Sequence, residues 1–418
     1  MGEKKGIHYA WFIMVSCAVF AFCVLGIVAS CAGIFFKPVC DALGVSRAAI
    51  SMYLTIQYLT MVVCLPIAGK LVPKHFKPML IAGMAVYTLT FAAMSQFTSI
   101  YHWYFAGVLL GISGAIVIYL PIPSLINNWF KKRVGFALGF ALAMSGVGGA
   151  IFNPLGAWII QTYGWRTGYL VLGLFAAILT LIFAIFVVRQ KPSDIGWKPY
   201  GAEDVAEARD ARPQTAAVNE LPGVTSGKAL KSVTFYTAFI FTGLLIMTSS
   251  VQTHLPGYIA SVGLSPVVGG VLLTFASIGI ILGKLSLGFL NDKIGLTGAV
   301  TAGCAIGIIG LSAILLGKSS ITVLYAGGFL YGFGLTAMCT VLPPLIVRQF
   351  FGQRDFSSIY SNITSGATLL QAFSITLFGL IYDMSKSYAF SLILGLVFIV
   401  VAYFAYLITK TTGKKLLA

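Results

Sequence analysis

Long apolar stretches of similar length recur along almost the whole chain, separated by short polar turns. A helix needs about 20 mainly apolar residues to cross the hydrocarbon core of a bilayer. The first such stretch begins near Tyr9 and the last ends near Lys410. The pattern predicts twelve membrane-spanning helices, spans one to twelve, at 9–36, 47–69, 78–97, 101–128, 134–161, 166–189, 232–260, 266–290, 296–317, 320–348, 355–382 and 387–410.

The one long polar stretch of the sequence lies between spans six and seven. It is rich in Pro, Ala, Glu, Asp and Arg, which predicts a flexible cytoplasmic linker over 191–231. Six spans on either side of a linker predict an N-terminal bundle, 1–190, and a C-terminal bundle, 232–418.

The two halves carry similar sequences at matching places. Leu120-Pro121 in span four recurs as Leu342-Pro343 in span ten. Weak symmetry of this kind is typical of transporters, whose substrate site lies between the repeats near the bilayer midplane. The symmetry therefore favours a duplicated, all-α transporter fold.

The distribution of charge agrees with a membrane topology. Apolar residues make up 58% of the 418 and charged residues only 9%, whereas a soluble domain carries about a quarter charged residues. Of the 27 Lys and Arg, 21 fall on one side of the predicted spans, five on the other, and Lys284 within a span. The basic side is expected to be cytoplasmic. The distribution of the basic residues, which accounts for the net charge of +16, thus indicates a multi-pass protein of a bacterial inner membrane, with both termini in the cytoplasm.

The sequence argues against an enzyme. It contains no phosphate-binding loop, no metal-ligand cluster and no nucleophile paired with a base, and its seven Cys form no Cys-x-x-Cys pair. We expect no cofactor, no metal and no nucleic-acid partner. The expected partners are membrane lipid, a small organic anion and H⁺, and the expected oligomeric state is a monomer.

Lys284 is the most informative residue, because it lies inside span eight. A cation within a span costs a few kcal/mol and marks a functional site by default. A side chain that reaches towards the cytoplasmic end of its helix is the competing explanation. All eleven Asp and Glu fall in loops, tails or at span ends, so we expect an anionic substrate to supply the opposite charge. A single embedded cation favours a single carboxylate over a dicarboxylate.

Other polar residues allow both functional and structural interpretations. Ser250 and His254 share a face of span seven, with Gln252 between them, and His254 is a candidate for substrate binding or proton relay. Bonding to neighbouring helices is the alternative for His254. Tyr119 is expected either to line a cavity or to pack in the core. Asp292 is expected to tie a short turn to a neighbouring helix end.

Glycines close to Lys284 leave two alternatives open. Gly279-x-x-x-Gly283 directly precedes Lys284, and small residues at this spacing let helix backbones approach each other. The pair is either a packing face or a space cleared beside the substrate.

Short motifs resemble those of a known family. Gly288-Phe-Leu-Asn-Asp292-Lys293-Ile-Gly295 after span eight is similar to the loop signature of the major facilitator superfamily, Gly-x-x-x-Asp-x-x-Gly-basic, and Gly69-Lys70 begins a degenerate copy after span two. Three further motifs resemble the branch of monocarboxylate carriers and oxalate/formate exchangers: Gln252-Thr-His254-Leu-Pro256, Asn128-Trp129-Phe130 and Gly164-Trp165-Arg166. The resemblance implies twelve helices in two pseudo-symmetric six-helix bundles. It also implies a gating or structural role for Gly288, Asp292, Lys293, Gly69 and Lys70.

The chain departs from that branch at the positions expected to bind substrate. The branch carries an Arg in span eight that grips a carboxylate, and Lys284 stands there. Its proton-coupled members place an Asp where this chain has Ile280, and the oxalate exchangers place a second cation where it has Ala367. Tyr119 is the pocket aromatic that is kept, and small polar residues replace the others: Ser30, Ser145, Thr336, Thr340 and Thr364.

These observations predict a secondary active transporter of a small organic anion, most simply a monocarboxylate, that works by alternating access with proton symport. The expected substrate-binding residues are Lys284, Tyr119, His254, Gln252, Ser145, Ser30, Thr340 and Thr364. Exchange of organic anions and efflux of amphipathic acids are alternative transport functions. A different class of function is also an alternative: a membrane sensor that binds a ligand without net transport.

Overall fold

A computed structural model describes residues 7–45, 47–202, 223–264, 266–317, 320–385 and 387–417 of the chain. These residues are nearly all helical, as the recurring apolar stretches predict. The long elements, in chain order, are Tyr9–Phe20, Ala21–Ala29, Ala32–Leu43, Arg47–Leu71, Phe76–Ala93, Ile100–Val117, Pro121–Trp129, Val134–Ile182, Val233–Ser249, Leu255–Ser261, Pro266–Leu316, Ile321–Tyr331, Ala337–Phe351, Phe356–Ser385 and Ala389–Leu417.

The described helices account for all twelve predicted spans. Nine of them are long and apolar enough to cross a membrane, and two of these nine contain two spans each. Val134–Ile182 turns at Gly164 (φ 84°) and Pro266–Leu316 turns at Gly295 (φ 76°), in a backbone conformation that glycine adopts without a steric penalty. Phe356–Ser385 supplies the remaining span. The predicted all-α, twelve-helix fold is confirmed.

Contacts divide the chain into two compact units. The first contains Met1–Tyr53 and Leu71–Leu221, and the second contains Leu54–Lys70 and Pro222–Ala418. Most of span two therefore groups with spans seven to twelve by its contacts, although it precedes the linker in sequence. The predicted bundle boundaries at 190 and 232 stay a prediction.

Close helix packing in the first unit depends on glycine. A Cβ atom at Gly26 of span one would lie 2.7 Å from the Cα of Gly148 in span five, which is closer than side chains tolerate. Further along span one, the rings of Phe35 and Tyr169 stack with centroids 3.8 Å apart, and Phe91 contacts Tyr169 edge-on with centroids 5.0 Å apart. Glycine contacts and aromatic stacking together hold spans one, three, five and six against one another.

In the second unit, the end of span two packs against span eleven. A Cβ atom at Gly69 would lie 2.7 Å from the Cβ of Ser361. The hydroxyl of Ser365 donates a hydrogen bond to the carbonyl oxygen of Val62 at 2.6 Å. The two contacts lie four residues apart on span eleven and seven apart on span two, so one face of each helix is involved.

The predicted linker begins with an ordered segment. Pro192–Ile195 forms a short 3-10 helix, and the chain then returns to the end of span four. There the backbone amide of Tyr200 donates a hydrogen bond to the carbonyl oxygen of Trp129 at 2.8 Å. The backbone amide of Lys131 donates one to the carbonyl oxygen of Tyr200 at 2.9 Å. The Trp129 indole nitrogen donates to the carbonyl oxygen of Arg189 at 2.8 Å.

The other end of the linker is held in a similar way at the end of span ten. Gly223 forms an antiparallel bridge with Gly352. The amide of Ser226 donates to a carboxylate oxygen of Asp355 at 2.7 Å, and a short helix, Ser226–Leu230, follows. The expectation of a flexible linker thus fails at both of its described ends, because backbone hydrogen bonds fix them to span ends. The rest of it, 203–222, lies outside the described residues.

Candidate functional site

Four of the described spans depart from regular α-helical winding in their interior. Span one is π-helical over Ala21–Ala29, and span seven narrows to a 3-10 helix over Ser250–His254. Span ten is π-helical over Gly332–Thr336, and span four is interrupted between Val117 and Pro121. Irregular winding is frequent at functional sites, and interrupted helices line substrate sites in transporters. Irregular winding therefore distinguishes spans one and four in the first unit, and spans seven and ten in the second.

Lys284 is buried in span eight, with 6% of its surface exposed. A lysine that reaches towards the aqueous interface would leave its ammonium group exposed, so this burial favours the functional interpretation. The preceding glycines press on the backbone of span ten. A Cβ atom at Gly283 would lie 2.7 Å from the Cα of Phe333, and one at Gly279 would lie 2.9 Å from its amide nitrogen. Gly279 and Gly283 are thus a packing face, which decides the alternative that the sequence leaves open.

Lys284, Cys339 and Ser249 bring together three spans of the second unit. The ammonium group of Lys284 lies near enough to the thiol of Cys339 in span ten for the two to interact electrostatically. Cys339 is also hydrogen-bonded with the side chain of Ser249 in span seven. Its thiol donates to the carbonyl oxygen of Leu335 at 3.3 Å. The cation of span eight therefore lies near polar side chains that are close to the irregular segments of spans seven and ten.

Tyr331 fixes the point where span seven changes its winding. Its fully buried hydroxyl lies 3.1 Å from the carbonyl oxygen of Thr248 and 2.9 Å from that of Ser249, and it donates to both. These carbonyls end the α-helical part of span seven, and the 3-10 turn begins at Ser250. On its other side, Ser250 accepts a hydrogen bond from the hydroxyl of Ser374 in span eleven at 2.8 Å. Two neighbouring helices thus hold this turn in place.

The turn carries both candidate residues of span seven. Gln252 and His254 are partly exposed. The imidazole of His254 contacts two rings, Phe378 with centroids 6.1 Å apart and Tyr388 with centroids 5.9 Å apart. These contacts fix the orientation of the imidazole and are compatible with either interpretation of His254.

Thr340 is the exposed residue of an otherwise buried stretch of span ten. Every other residue of 337–347 is buried. Phe333 and Thr336, the partly exposed residues before it, precede Thr340 at four- and three-residue spacing, so the three lie on one exposed face of span ten. Thr364 behaves differently: it is buried, and its hydroxyl donates to the carbonyl oxygen of Tyr360 within its own helix at 2.8 Å.

In the first unit, the candidate residues lie where helices are interrupted or packed closely. Tyr119 occupies the non-helical segment of span four and is partly exposed. Ser30 is exposed at the end of the π-helical segment of span one, and its hydroxyl donates to the carbonyl oxygen of Leu25 at 2.8 Å. Ser145 is buried in span five, and its hydroxyl donates to the carbonyl oxygen of Leu142 at 2.7 Å. A Cβ atom at Gly149, four residues after Ser145, would lie 3.4 Å from the Cβ of Ser30, so both serines lie along the contact between spans one and five.

The turn after span eight makes the contacts expected of a structural element. The charges of Asp292 and Arg348, at the end of span ten, lie close enough to interact. The side-chain amide of Asn291 donates to Asp292 at 3.3 Å, and the ammonium group of Lys293 lies 4.8 Å from the ring centroid of Phe289. These contacts support the interpretation of Asp292 as a tie to a neighbouring helix end.

The remaining motif residues lie within the helices that carry the motif. Gly288 is buried in span eight, and Gly69 packs on span eleven as described above. Lys70 is exposed in the last turn of Arg47–Leu71.

The sequence pattern does not identify Cys339 or Tyr331 as residues near Lys284 or the turn of span seven. In the sequence pattern, Cys339 looks like a small apolar side chain, and Tyr331 looks like an ordinary aromatic residue of an apolar span. One usable signal exists: Tyr331 is directly followed by Gly332-x-Gly334, an unusual break in the interior of a span. Among the described residues, no group of three or more His, Cys, Asp or Glu forms a metal site.

Twelve spans, two units and interrupted helices define a polytopic membrane transporter. The sequence profile of the Major Facilitator Superfamily matches residues 18–347, and the chain belongs to that family. Its members are transporters and not enzymes, as the sequence predicts. A solved structure of the proton:xylose symporter XylE has the same fold, with a TM-score of 0.73 and 12% identity over 95% of this chain and 94% of the other.

Two relatives agree with the branch that the motifs resemble. Monocarboxylate transporter 12 of Xenopus laevis is 26% identical over 306 residues, which cover 70% of this chain. The chain spans 66% of the length of that relative. The oxalate:formate antiporter of Oxalobacter formigenes is 28% identical over 327 residues, covering 75% of this chain and 70% of the antiporter.

Proposed function

We propose that this transporter carries a small monocarboxylate together with a proton, by alternating access, and that Lys284 binds the carboxylate. The observation that carries the proposal is the burial of a cation in span eight, next to the irregular segments of spans seven and ten. Keeping a charge in such a place costs free energy, which binding of an anion offsets.

The relatives support the substrate class. One is named a monocarboxylate transporter and the other an oxalate:formate antiporter, so both names refer to small carboxylates. The second of these carries a dicarboxylate as well, whereas a single embedded Lys suits one carboxylate. At Ala367, where the resemblance implies a second cation in oxalate exchangers, the side chain is buried and apolar.

The test of this proposal is the Lys284→Gln variant. Removing the ammonium group takes away the charge that balances the carboxylate, and losing one partner of a buried charge pair costs about 2–5 kcal/mol, or more than about 30-fold in affinity. Calorimetry with a monocarboxylate such as butyrate measures the loss. Lys414→Gln, which removes an exposed charge near the end of span twelve, is the matched control and should bind normally. Wild-type affinity in Lys284→Gln contradicts the proposal.

A second experiment distinguishes a carrier from a sensor. Purified protein in liposomes is loaded with unlabelled butyrate and then exposed to the labelled anion. A carrier accumulates label by counterflow, whereas a sensor only binds it.

Anion exchange is the second candidate function, and the similarity to an antiporter favours it. Exchange needs no proton-carrying group, because only the loaded protein changes its conformation. Uptake that requires an internal anion and leaves the internal pH unchanged identifies exchange.

The proposed location is the inner membrane of a bacterium, with both termini in the cytoplasm and the protein as a monomer. The bias of 21 basic residues to five supports this orientation. Protease cleavage of a C-terminal tag in inverted vesicles, but not in intact spheroplasts, is the expected result.

A further inference from the structure

Cys339 lies at the centre of the polar contacts around Lys284, and the proposed function assigns it no role. It interacts with Lys284 of span eight and bonds with Ser249 of span seven, while its own helix supplies the Leu335 carbonyl. These partners come from three different spans of the second unit. Packing of an apolar core needs no such convergence of polar groups around a buried cation.

The close approach of spans eight and ten is built into the backbone. Gly279 and Gly283 place the two helix backbones in direct contact, and a Cβ atom at Gly283 would lie 2.8 Å from the Cβ of Ala337. Cys339 follows Ala337 by two residues and Lys284 follows Gly283 directly. The neighbourhood of Lys284 and Cys339 therefore does not depend on one side-chain rotamer.

Cys339 also lies at the edge of the exposed face of span ten. It is 8% exposed, and Thr340, the following residue, is the exposed position in the otherwise buried stretch 337–347.

We propose that Cys339 contacts the substrate: when the anion binds, the thiol turns its single proton from the Leu335 carbonyl oxygen to the carboxylate that Lys284 binds. This inference rests on the proposed function and adds a residue to its site. A thiol is a weak donor and carries no charge, so it can bond to the anion without competing for the ammonium group as a carboxylate side chain would. A buried Asp or Glu at this position would neutralise Lys284 and exclude the anion.

The first test follows the reactivity of Cys339 in the purified wild-type protein. N-ethylmaleimide labels the cysteines, and mass spectrometry of peptides gives the rate at each one. If the anion covers the thiol, butyrate at about ten times its Kd leaves about one site in ten empty, so labelling of Cys339 slows about tenfold. Butyramide, which has nearly the same size and no charge, should give no protection.

Cys304 in span nine is the internal control. It is 3% exposed and lies near Cys339, so a general tightening of the second unit would slow both cysteines. Direct contact slows only Cys339. Equal rates at Cys339 with and without bound butyrate overturn the inference.

The second test uses two variants and separates contact from indirect protection. Cys339→Val replaces the thiol by a somewhat larger apolar side chain without a donor, so it should weaken butyrate binding about three- to tenfold, the range of one hydrogen bond. Cys339→Ser keeps a donor and should restore most of the affinity. Wild-type affinity in Cys339→Val, or equal loss in both variants, overturns the inference. If Cys339 resists the reagent in the empty protein, these two affinities decide alone.

The result also separates this inference from the proposed function. Binding of butyrate that neither protects Cys339 nor depends on its thiol leaves the monocarboxylate transporter standing and removes Cys339 from its site. If no monocarboxylate from acetate to hexanoate binds the wild-type protein, both proposals fail.

Discussion

At the scale of single residues, Tyr331 shows how one hydroxyl group sets the shape of another helix. It donates to the carbonyl oxygens of Thr248 and Ser249, where span seven leaves its α-helical winding. Tyr331→Phe removes both bonds and leaves two buried carbonyls with fewer donors, at a cost of about 1–3 kcal/mol. We expect a lower melting temperature and weaker anion binding, measured by thermal unfolding and calorimetry.

Tyr325 provides the matched control for this variant. It lies one and a half turns earlier on the same span, and its ring stacks on Phe275 with centroids 5.3 Å apart. Stacking does not need the hydroxyl, so Tyr325→Phe should leave both measurements unchanged. If Tyr331→Phe also behaves as the wild type, the hydroxyl does not hold the turn.

The proton prediction belongs to the same scale. In proton symport, one group of the protein must gain a proton when the substrate binds. It must lose this proton after the substrate is released, before the empty transporter returns to its first conformation. We propose Lys284 for this role, since the Asp of the proton-coupled carriers is replaced by Ile280. Lys284→Arg keeps the positive charge but does not release a proton, so it should retain some binding and lose proton uptake driven by butyrate. A pH-sensitive dye inside liposomes measures this uptake.

His254 is the competing proton site. If it relays the proton, His254→Asn abolishes proton uptake and Lys284→Arg does not. Wild-type exchange of anions without any change of internal pH contradicts both assignments and supports the antiport mechanism.

Only part of the site could be predicted from these residues. Lys284 stands out because a charge in an apolar stretch is visible without a structure. Cys339, Ser249 and Tyr331 do not, because their significance comes from contacts between helices whose contacting residues are 55 to 90 positions apart in sequence. The role of a polar side chain cannot be predicted from the sequence pattern when it depends on neighbours from other helices.

At the scale of helices, the contact between spans eight and ten is the element on which the site depends. Gly283→Ala would place a Cβ atom 2.7 Å from the Cα of Phe333, so span ten must move. Overpacking of this kind costs about 1–3 kcal/mol, and the shift should separate Lys284 from Cys339. We expect a lower melting temperature together with a loss of butyrate affinity.

Gly227→Ala is the matched control for the glycine contact. An added Cβ atom at Gly227 meets nothing within 4 Å, and the residue lies in the short helix Ser226–Leu230. Alanine there should have no effect or stabilise the helix by up to about 1 kcal/mol. A Gly283→Ala protein as stable as the wild type would show that the two backbones can separate without cost.

Helix positions followed from apolar length, but helix winding did not. All twelve predicted spans occur close to their expected bounds, because bilayer thickness sets their length. The π-helical and 3-10 segments have no comparable signal in composition. The ordered ends of the linker were missed for a related reason: the polar composition of 191–231 describes solvation, whereas backbone hydrogen bonds at Tyr200 and Gly223 hold its ends.

At the scale of the whole molecule, the chain belongs to the Major Facilitator Superfamily, a family of transporters, and the size of the proposed substrate is the next property to test. The resemblance implies that small side chains such as Thr340 and Ser30 replace the pocket aromatics of the branch. Smaller side chains leave more room, so the preferred anion should be longer than formate or oxalate. Competition against labelled butyrate with acids of increasing length should show a maximum beyond two carbons.

Oxalate is the decisive competitor in this series. A site with one cation leaves the second carboxylate of oxalate without a counter-charge in a medium of low dielectric constant. If oxalate competes better than every longer monocarboxylate, the assignment of these small residues to the substrate pocket is wrong.

The anchored ends of the linker change how the two halves of the chain are tethered. Because Tyr200 is fixed to the end of span four and Gly223 to the end of span ten, the connecting chain between anchors is about half as long as the polar stretch. Effective concentration falls with roughly the −3/2 power of tether length, so each half experiences the other at about three times the concentration that an unanchored linker would give. Lengthening the chain between the anchors should therefore cost little, about 0.6 kcal/mol for each doubling of its length. Loss of an anchor acts in the same way, because the released segment becomes part of the tether.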